Sequence, residues 1–550
     1  MFAANKWTRM NRDEGKSMPG YFVTRENVND EVIPSELPMK GSASDLILRF
    51  TTADALNLFS SSNLRSLFAL PLPSISSTIY LLERPPFTFP PLFRDNNTNV
   101  HANTNTTTTT NPFGPPTVAE WQRIWNAWDF VTLRMIPPEM LHQKPIDLRH
   151  KCLFYIGHLP TFLDILLSKL LNEPYSEPKC FTTIFERGID PHVDDPNHCH
   201  NHSDVPEADE DWPTLESILA YRDRVRARLM RLYDDIDTGK RRINRRIARV
   251  LQMTNEHEGF HVETLLYMLI QNAGCGTVPP PGFTTPPWEL LAAQWNALPE
   301  PSTPKVILGP TKLVMGHDDS ELADLEEPEA GVYEHVYGWD NESPRRVVEV
   351  GKFMIEWRPV TNGEFYEFWK AEGNEVVRMP RSWRLVDNEV FVLTLHGLVP
   401  LDIAQHWPVL TSFDDLTTYA KSKGGRIPTE PELRLFLDTY EVGHEGGANV
   451  AFRNWHPIPA TTGIAENGGR GSNGGVWEWT STVFDGHEGM APTSLFPGYS
   501  SDFFDGKHQV VIGASYATIP SLAGRRTLRN FYQHNYPYPW VGARVAYDCV

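Results

Sequence analysis

The sequence predicts a multidomain protein, an α-helical four-helix bundle followed by an irregular α+β domain. Three observations carry this. Four long segments between residues 116 and 274 repeat apolar residues at spacings of three and four, the period of a half-buried helix. From Pro304 that period is lost, and short apolar stretches alternate with glycines and tryptophans. The length of 550 residues leaves room for two to four units at roughly 150 residues each.

Residues 1–115 form the first region. Pro/Ser-rich stretches and the run NTNTTTTTN (103–111) cannot bury enough apolar surface to offset their ordering entropy, so this region is expected to be poorly ordered. A β-like piece, TIYLLE (78–83), stands apart and ends in PPFTFPP, which continues neither strand nor helix.

The bundle is expected over 116–274. Its first helix is TVAEWQRIWNAWDFVTLRMI (117–136), with Trp121, Ile124, Trp125, Trp128 and Val131 on one stripe. The second is 146–171, the third 214–237 and the fourth 241–274, where Gly274 suits a C-cap. The connection 172–213 is long and rich in His, Asp and Pro, and such loops in compact domains are usually functional. Residues 275–302 read as a Pro-rich linker. The α+β domain occupies 303–550, with β-like stretches at 347–357 and 508–518 and short helices at 361–373 and 429–440.

Composition narrows the function classes. A net charge of −19 without a basic stripe argues against nucleic acid or an anionic membrane as partner. Five scattered cysteines give no disulfide framework. The first residues are too polar for a signal peptide, and no apolar run is counted to the roughly 20 residues of a membrane span. The expectation is a cytoplasmic protein, with the nucleus also open, acting on small molecules.

The chemistry concentrates in NEHEGFHVE (255–263). His257 and His261 are four residues apart on a helical segment, so both imidazoles share one face and can reach one metal ion. HEGFH also fits the zinc-protease pattern with Glu258 as general base. The extended form of that pattern needs glycine at 264 and histidine at 267, where this chain has Thr264 and Tyr267. Glu263 lies about 200° around the axis from His261 and points away from the shared face. A third ligand must then come from another helix. His158, in the apolar segment CLFYIGHLPTFLDIL, is the candidate, the alternative being a hydrogen-bonded core histidine. Three neutral imidazoles leave open coordination positions and suit Fe(II) that gathers substrate and O2. A second tract, PHVDDPNHCHNH (191–202), is metal-like by composition but too crowded for a standard zinc pattern, and reads as a loop with incidental histidines or as one bordering the site. The α+β domain shows no triad, phosphate loop or Cys/His nucleophile pair.

Over about residues 116–550 these strings resemble a known family. The bundle with His257–Glu263 looks like the DinB-like domain of ergothioneine and ovothiol sulfoxide synthases. GWDNESPRRVVEV (338–350), RPVTNGEFYEFW (358–369), GGRIPTEPEL and NGGVWEWTS resemble their formylglycine-generating-enzyme-like (sulfatase-modifying factor) domain, which has a C-type-lectin fold. LPTFLD (159–164) and FERGIDPHVDDPNHCHNHSDVP (185–206) look closest to the fungal ergothioneine-biosynthesis enzymes. The resemblance implies a mononuclear Fe(II) site of His158, His257 and His261. It implies O2-dependent joining of a cysteine sulfur to the imidazole C2 of hercynine, with oxidation to the sulfoxide. Tyr499 matches a proton-donating tyrosine, and Asn530, Phe531 and Tyr532 match a segment bordering the substrates. Phe260 stands where some bacterial relatives carry a glutamine that contacts the imidazole. GASYAT (513–518) departs from the usual GGSWAT, and Tyr532 replaces a carboxylate found in enzymes that use γ-glutamylcysteine, which points to free cysteine as donor. Fungal relatives often carry an upstream methyltransferase domain, and TIYLLERPPFTFPP resembles the end of one. The expectation is a truncated gene model, or a stand-alone synthase fed hercynine by a separate methyltransferase. An ovothiol-type enzyme acting at histidine C5, a catalytically silent scaffold and an HExxH zinc protease are the alternatives.

Overall fold

The computed structural model describes residues 85–89 and 111–549, apart from Pro196, Asn201, 273–275, 298–302, 441–448 and 461–471. Elsewhere before residue 111 it describes only the backbone of six short strands, four before residue 85 and two between 92 and 102. One of these, Ser77–Glu83, coincides with the β-like piece read from the sequence, while the tract 103–110 lies outside the described residues.

Four helices build the first domain: α1 (Val118–Phe130), α2 (Cys152–Leu171), α3 (Leu215–Asp237) and α4 (Arg245–Gln271). Each start has a local cause. The Thr117 hydroxyl accepts from the Glu120 amide while the Glu120 carboxylate accepts from the Thr117 amide, a reciprocal cap. Thr214 and Asn244 cap α3 and α4 by accepting from the Ser217 and Ile247 amides. The first helix stops sooner than its periodicity predicts, continuing as a π-helical turn over Val131–Met135. The second starts at Cys152 rather than 146, so Arg149 belongs to the loop that precedes it. The fourth is capped at Asn272 rather than at Gly274, which lies outside the described residues.

α2 packs against α3 and α4, and α1 against α4. Trp121, Trp128, Leu163, Leu229 and Leu266 are buried among them. By length and composition α2 could cross a membrane, which corrects the count of apolar runs made from sequence; most of it is buried inside the bundle, as in a core helix. Its buried carboxylate, Asp164, is matched by Arg228 of α3 at 2.8 Å and by the Ser176 amide and hydroxyl.

The segment read as a linker contains a helix of its own, Trp288–Asn296. Its Trp288, Leu291, Ala292 and Trp295 recur at helical spacings of three and four, and Trp288 and Trp295 hold it by packing on Trp407 and His456. Phe87 likewise docks edge-on to Phe130 and Phe452, bridging the two domains.

The second domain is a set of small sheets with short helices between them. Strands β1 (Lys305–Leu308), β2 (Phe353–Glu356) and the C-terminal Ala546–Asp548 form one antiparallel sheet with β2 central. β3 (Trp477–Val483), β4 (His508–Gly513), β5 (Asn530–Gln533) and β6 (Val541–Gly542) form a second, in the order β5-β4-β3-β6. The helices read from sequence appear at Asn362–Glu372 and Glu430–Tyr440.

The two domains meet along one stripe of α4. Glu256, Gly259 and Glu263 face the second domain. Glu263 accepts from Trp477 Nε1 at 2.6 Å and from Thr518 Oγ1 at 2.7 Å. Glu256 accepts from Trp339 Nε1 at 2.8 Å and from Arg525 Nη2 at 2.8 Å. Arg525 also holds Glu342 through Nε and Nη2, both at 2.9 Å. A Cβ on Gly259 would lie 2.5 Å from Ile519 Cδ1, so glycine permits the close approach there.

Arg525, Glu256 and Glu342 are each 2% exposed or less. Removing the one cation leaves two buried carboxylates uncompensated. Arg525→Met should lower stability in urea unfolding by about 3–5 kcal/mol; a loss below about 1 kcal/mol would contradict this account of the interface.

Candidate metal centre

α4 offers His257 and His261 from the face it turns away from the Glu256–Glu263 stripe, and α2 offers His158. The ring centroids are 4.5 Å apart for His257–His261, 5.2 Å for His158–His257 and 4.8 Å for His158–His261. One nitrogen of each ring lies within 4.8 Å of the other two, an arrangement that can hold a metal ion. The Nε2 atoms of His257 and His261 are 3.1 Å apart.

The orientation of His158 is set from behind. Its Nδ1 lies 2.7 Å from the Phe185 carbonyl, which can only accept, so Nδ1 carries the proton and Nε2 is left as a donor to metal. Phe162 stacks on His257 at 3.8 Å and Phe154 on His158 at 5.4 Å. Burial keeps all three rings neutral. It lowers His158 to about 4, and it lowers His257 and His261 well below the ordinary histidine range, helped by the neighbouring imidazoles. Neutral imidazole is the form a metal binds, so the donor set fits a divalent transition ion.

These rings line a cavity between the domains, and the other residues singled out from sequence line it too: Phe260, Tyr499, Asn530, Phe531 and Tyr532. Tyr499 sits in a tight turn. Gly498 has φ +82°, and a Cβ there would meet the Asp502 carboxylate at 2.5 Å. The adjoining Ser500 is tied to Asp340 and Asn341. The Tyr499 ring stacks on Trp339 at 4.1 Å. Burial raises its pKa well above the usual phenol value, and Asp340, Glu342 and Glu256 reinforce the shift. The phenol therefore holds its proton. Asn530 lies on β5, its side chain 3.4 Å from Tyr532 Oη, while the Phe531 ring stacks on Phe484.

Several lining residues escape a reading from sequence. Arg149 pairs with Asp190 at 3.1 Å and lies over the Tyr536 ring; Arg187 pairs with Asp502 at 2.6 Å. Tyr155 and Tyr267 complete the wall. Arg187 and Asp190 come from the long connection 172–213, the loop expected to border the site. Only that loop's length and composition signalled them.

Glu258 is absent from the cavity lining. It is buried within the bundle, where burial raises its carboxyl to about 7 against the pull of Arg226 on α3. The HExxH pattern is thus present in sequence while its carboxylate faces away from the metal-binding face.

Comparison with known proteins agrees with this architecture. Residues 117–265 match the DinB superfamily and residues 305–445 the sulfatase-modifying factor enzyme 1-like domain. Ergothioneine biosynthesis protein 1 of Neurospora crassa is 37% identical over 532 residues, 79% of this chain and 58% of that protein. Its Schizosaccharomyces pombe counterpart is 37% identical over 472 residues, 82% of this chain and 59% of that protein. Hercynine oxygenase of Mycobacterium tuberculosis is 29% identical over 245 residues, 38% of this chain and 56% of that protein. The chain thus spans less than two thirds of the length of these three relatives. It joins a DinB-superfamily domain to a sulfatase-modifying factor enzyme 1-like domain and is similar to these ergothioneine biosynthesis proteins over about four fifths of its own length.

Proposed function

We propose that this chain is an O2-dependent non-haem iron enzyme that joins the sulfur of cysteine to the imidazole C2 of hercynine and oxidises the product to the sulfoxide. The observation that carries the reading is the convergence of three neutral imidazoles on a cavity that also holds a protonated tyrosine. The kinship with hercynine oxygenases supplies the substrate class.

The reaction balances with O2 alone. A C–H and an S–H bond are lost, a C–S and an S–O bond form, and the second oxygen atom leaves as water. Iron held by His158, His257 and His261 would supply open positions for O2 and a thiolate. The chain's own residues do the rest. Tyr499 holds a proton at Oη and delivers it to oxygen as general acid. Arg149 and Arg187, each held in place by a carboxylate partner, offer guanidinium N–H donors on the wall to substrate carboxylates. Aromatic rings of Phe260, Phe531 and Tyr532 shield the site from water, so the two substrates react as neighbours held in one orientation. Hercynine would come from a methyltransferase activity, in the cytoplasmic or nuclear setting expected from sequence.

Incubating the purified chain with Fe(II), O2, cysteine and either hercynine or histidine tests the reading by product mass. Hercynine-derived sulfoxide is the expected product; a histidine-derived one would favour the ovothiol-type reaction, and none from either would sink the proposal. Tyr499→Phe should cut sulfoxide formation by about 10²-fold while cysteine is still oxidised, and an unchanged yield would remove the role given to Tyr499. His257→Ala should lose bound iron after anaerobic reconstitution, read by elemental analysis; full iron occupancy would exclude this centre.

A further inference from the structure

The histidine-rich tract does more than border the cavity. Its two sides run antiparallel: the His192 amide donates to the His198 carbonyl at 2.9 Å, and Pro191 pairs with Cys199 in an antiparallel bridge. The turn sets His192 and His200 side by side, ring centroids 5.4 Å apart, facing Asp505 of the second domain. His192 Nε2 and His200 Nε2 each lie 3.7 Å from Asp505 Oδ2. One donor atom from each of the three lies within 4.8 Å of the others.

These atoms are conspicuous for what they lack. His192 Nδ1 and Nε2, His200 Nε2 and Asp505 Oδ2 are buried with no hydrogen-bond partner among the described residues, and His192 is only 1% exposed. Buried polar groups are nearly always satisfied, and an exception calls for a cause. The carboxylate is also oriented for a ligand. Its other oxygen, Oδ1, accepts from the Lys507 amide at 2.8 Å and faces His508 Nδ1 at 3.0 Å, which directs Oδ2 at the two imidazoles. Such support behind a ligating group is the usual companion of a metal site.

We propose that His192, His200 and Asp505 bind a Zn2+ ion, separate from the centre of His158, His257 and His261. Two imidazoles and a carboxylate are a donor set that zinc accepts, with bonds of about 2.0–2.2 Å. Tetrahedral ligands at that length lie about 3.4 Å apart; Asp505 Oδ2 is 3.7 Å from each imidazole nitrogen, and the three donors lie within 4.8 Å of one another, so they would draw together around the ion. The ion ties the connection 172–213 to the second domain. It works beside two other ties: Gln533 accepts from the Val193 amide and donates to the Pro191 carbonyl, and Arg187 pairs with Asp502. Because Arg187 and Asp190 form part of the cavity wall, zinc fixes that wall in place.

Metal content of the full chain tests this directly. After anaerobic loading with Fe(II), incubation with Zn2+ and removal of excess, elemental analysis should find one zinc per chain beside the iron. His192→Ala and the isosteric Asp505→Asn should each lose the zinc and keep the iron, with unchanged circular dichroism. His257→Ala should do the reverse. Co2+ in place of zinc in the wild-type chain should give visible absorption of tetrahedral type that His257→Ala retains. The proposal is overturned if the wild-type chain takes up no second ion, if both His192→Ala and Asp505→Asn keep it, or if His257→Ala loses it.

Discussion

The stripe of α4 formed by Glu256, Gly259 and Glu263 is the contact on which the rest of this molecule depends. Two carboxylates buried on one helix face would be costly alone. They persist because the second domain meets each with donors: Trp477 and Thr518 for Glu263, Trp339 and Arg525 for Glu256. Gly259 between them lets the domain come close enough to do so. The helix period then fixes the remainder. His257 and His261 lie about 100–160° around the axis from that stripe, so anchoring one face of α4 aims the other at the cavity.

A site built this way belongs to neither domain. The bundle brings the imidazoles, the turn after Gly498 brings Tyr499, β5 brings Asn530 to Tyr532, and the connection between α2 and α3 closes the wall with Arg187 and Asp190. Each group is rigid within its own element, through the Phe185 carbonyl behind His158 or the Trp339 ring behind Tyr499. Their mutual placement rests on the domain contact. Such sites tolerate little slack, since misplacing a positioned group by an ångström can cost a large factor in rate.

Much of this was legible in the residues, for identifiable reasons. The pair His257–His261 follows from the helical period, and the same period turned Glu263 away from it. What that period cannot supply is Glu263's partner, because Trp477 and Thr518 lie more than two hundred positions on. Trp477 and Thr518 sit inside NGGVWEWTS and GASYAT, and Arg525 opens RRTLRNFY. Those strings could be quoted without their role being visible. His158 was reachable because an imidazole in so apolar a helix demands a partner. Arg149, Arg187 and Asp190 were not reachable, since loop residues owe their position to tertiary contacts rather than to any local pattern. The helix Trp288–Asn296 is a different case: the spacing of Trp288, Leu291, Ala292 and Trp295 is helical, and it is the prolines crowding its approach that make the segment look like a linker.

The anchor also reaches into the chemistry of the cavity. Glu256 and Glu342 share the single guanidinium of Arg525, leaving a net negative charge in a dry setting. That charge, with Asp340, adds to burial in raising the pKa of Tyr499 and keeps its phenol protonated. On the other side of α4, burial strips the proton from His158, His257 and His261, helped at His257 and His261 by the neighbouring imidazoles. One interface thus favours a retained proton on the tyrosine and open lone pairs on the histidines, although both are responses to the same loss of water. The difference lies in which form of each group is neutral: the protonated phenol and the unprotonated imidazole. Burying the cavity sets both states at once, and the Glu256–Arg525–Glu342 cluster strengthens the phenol's share.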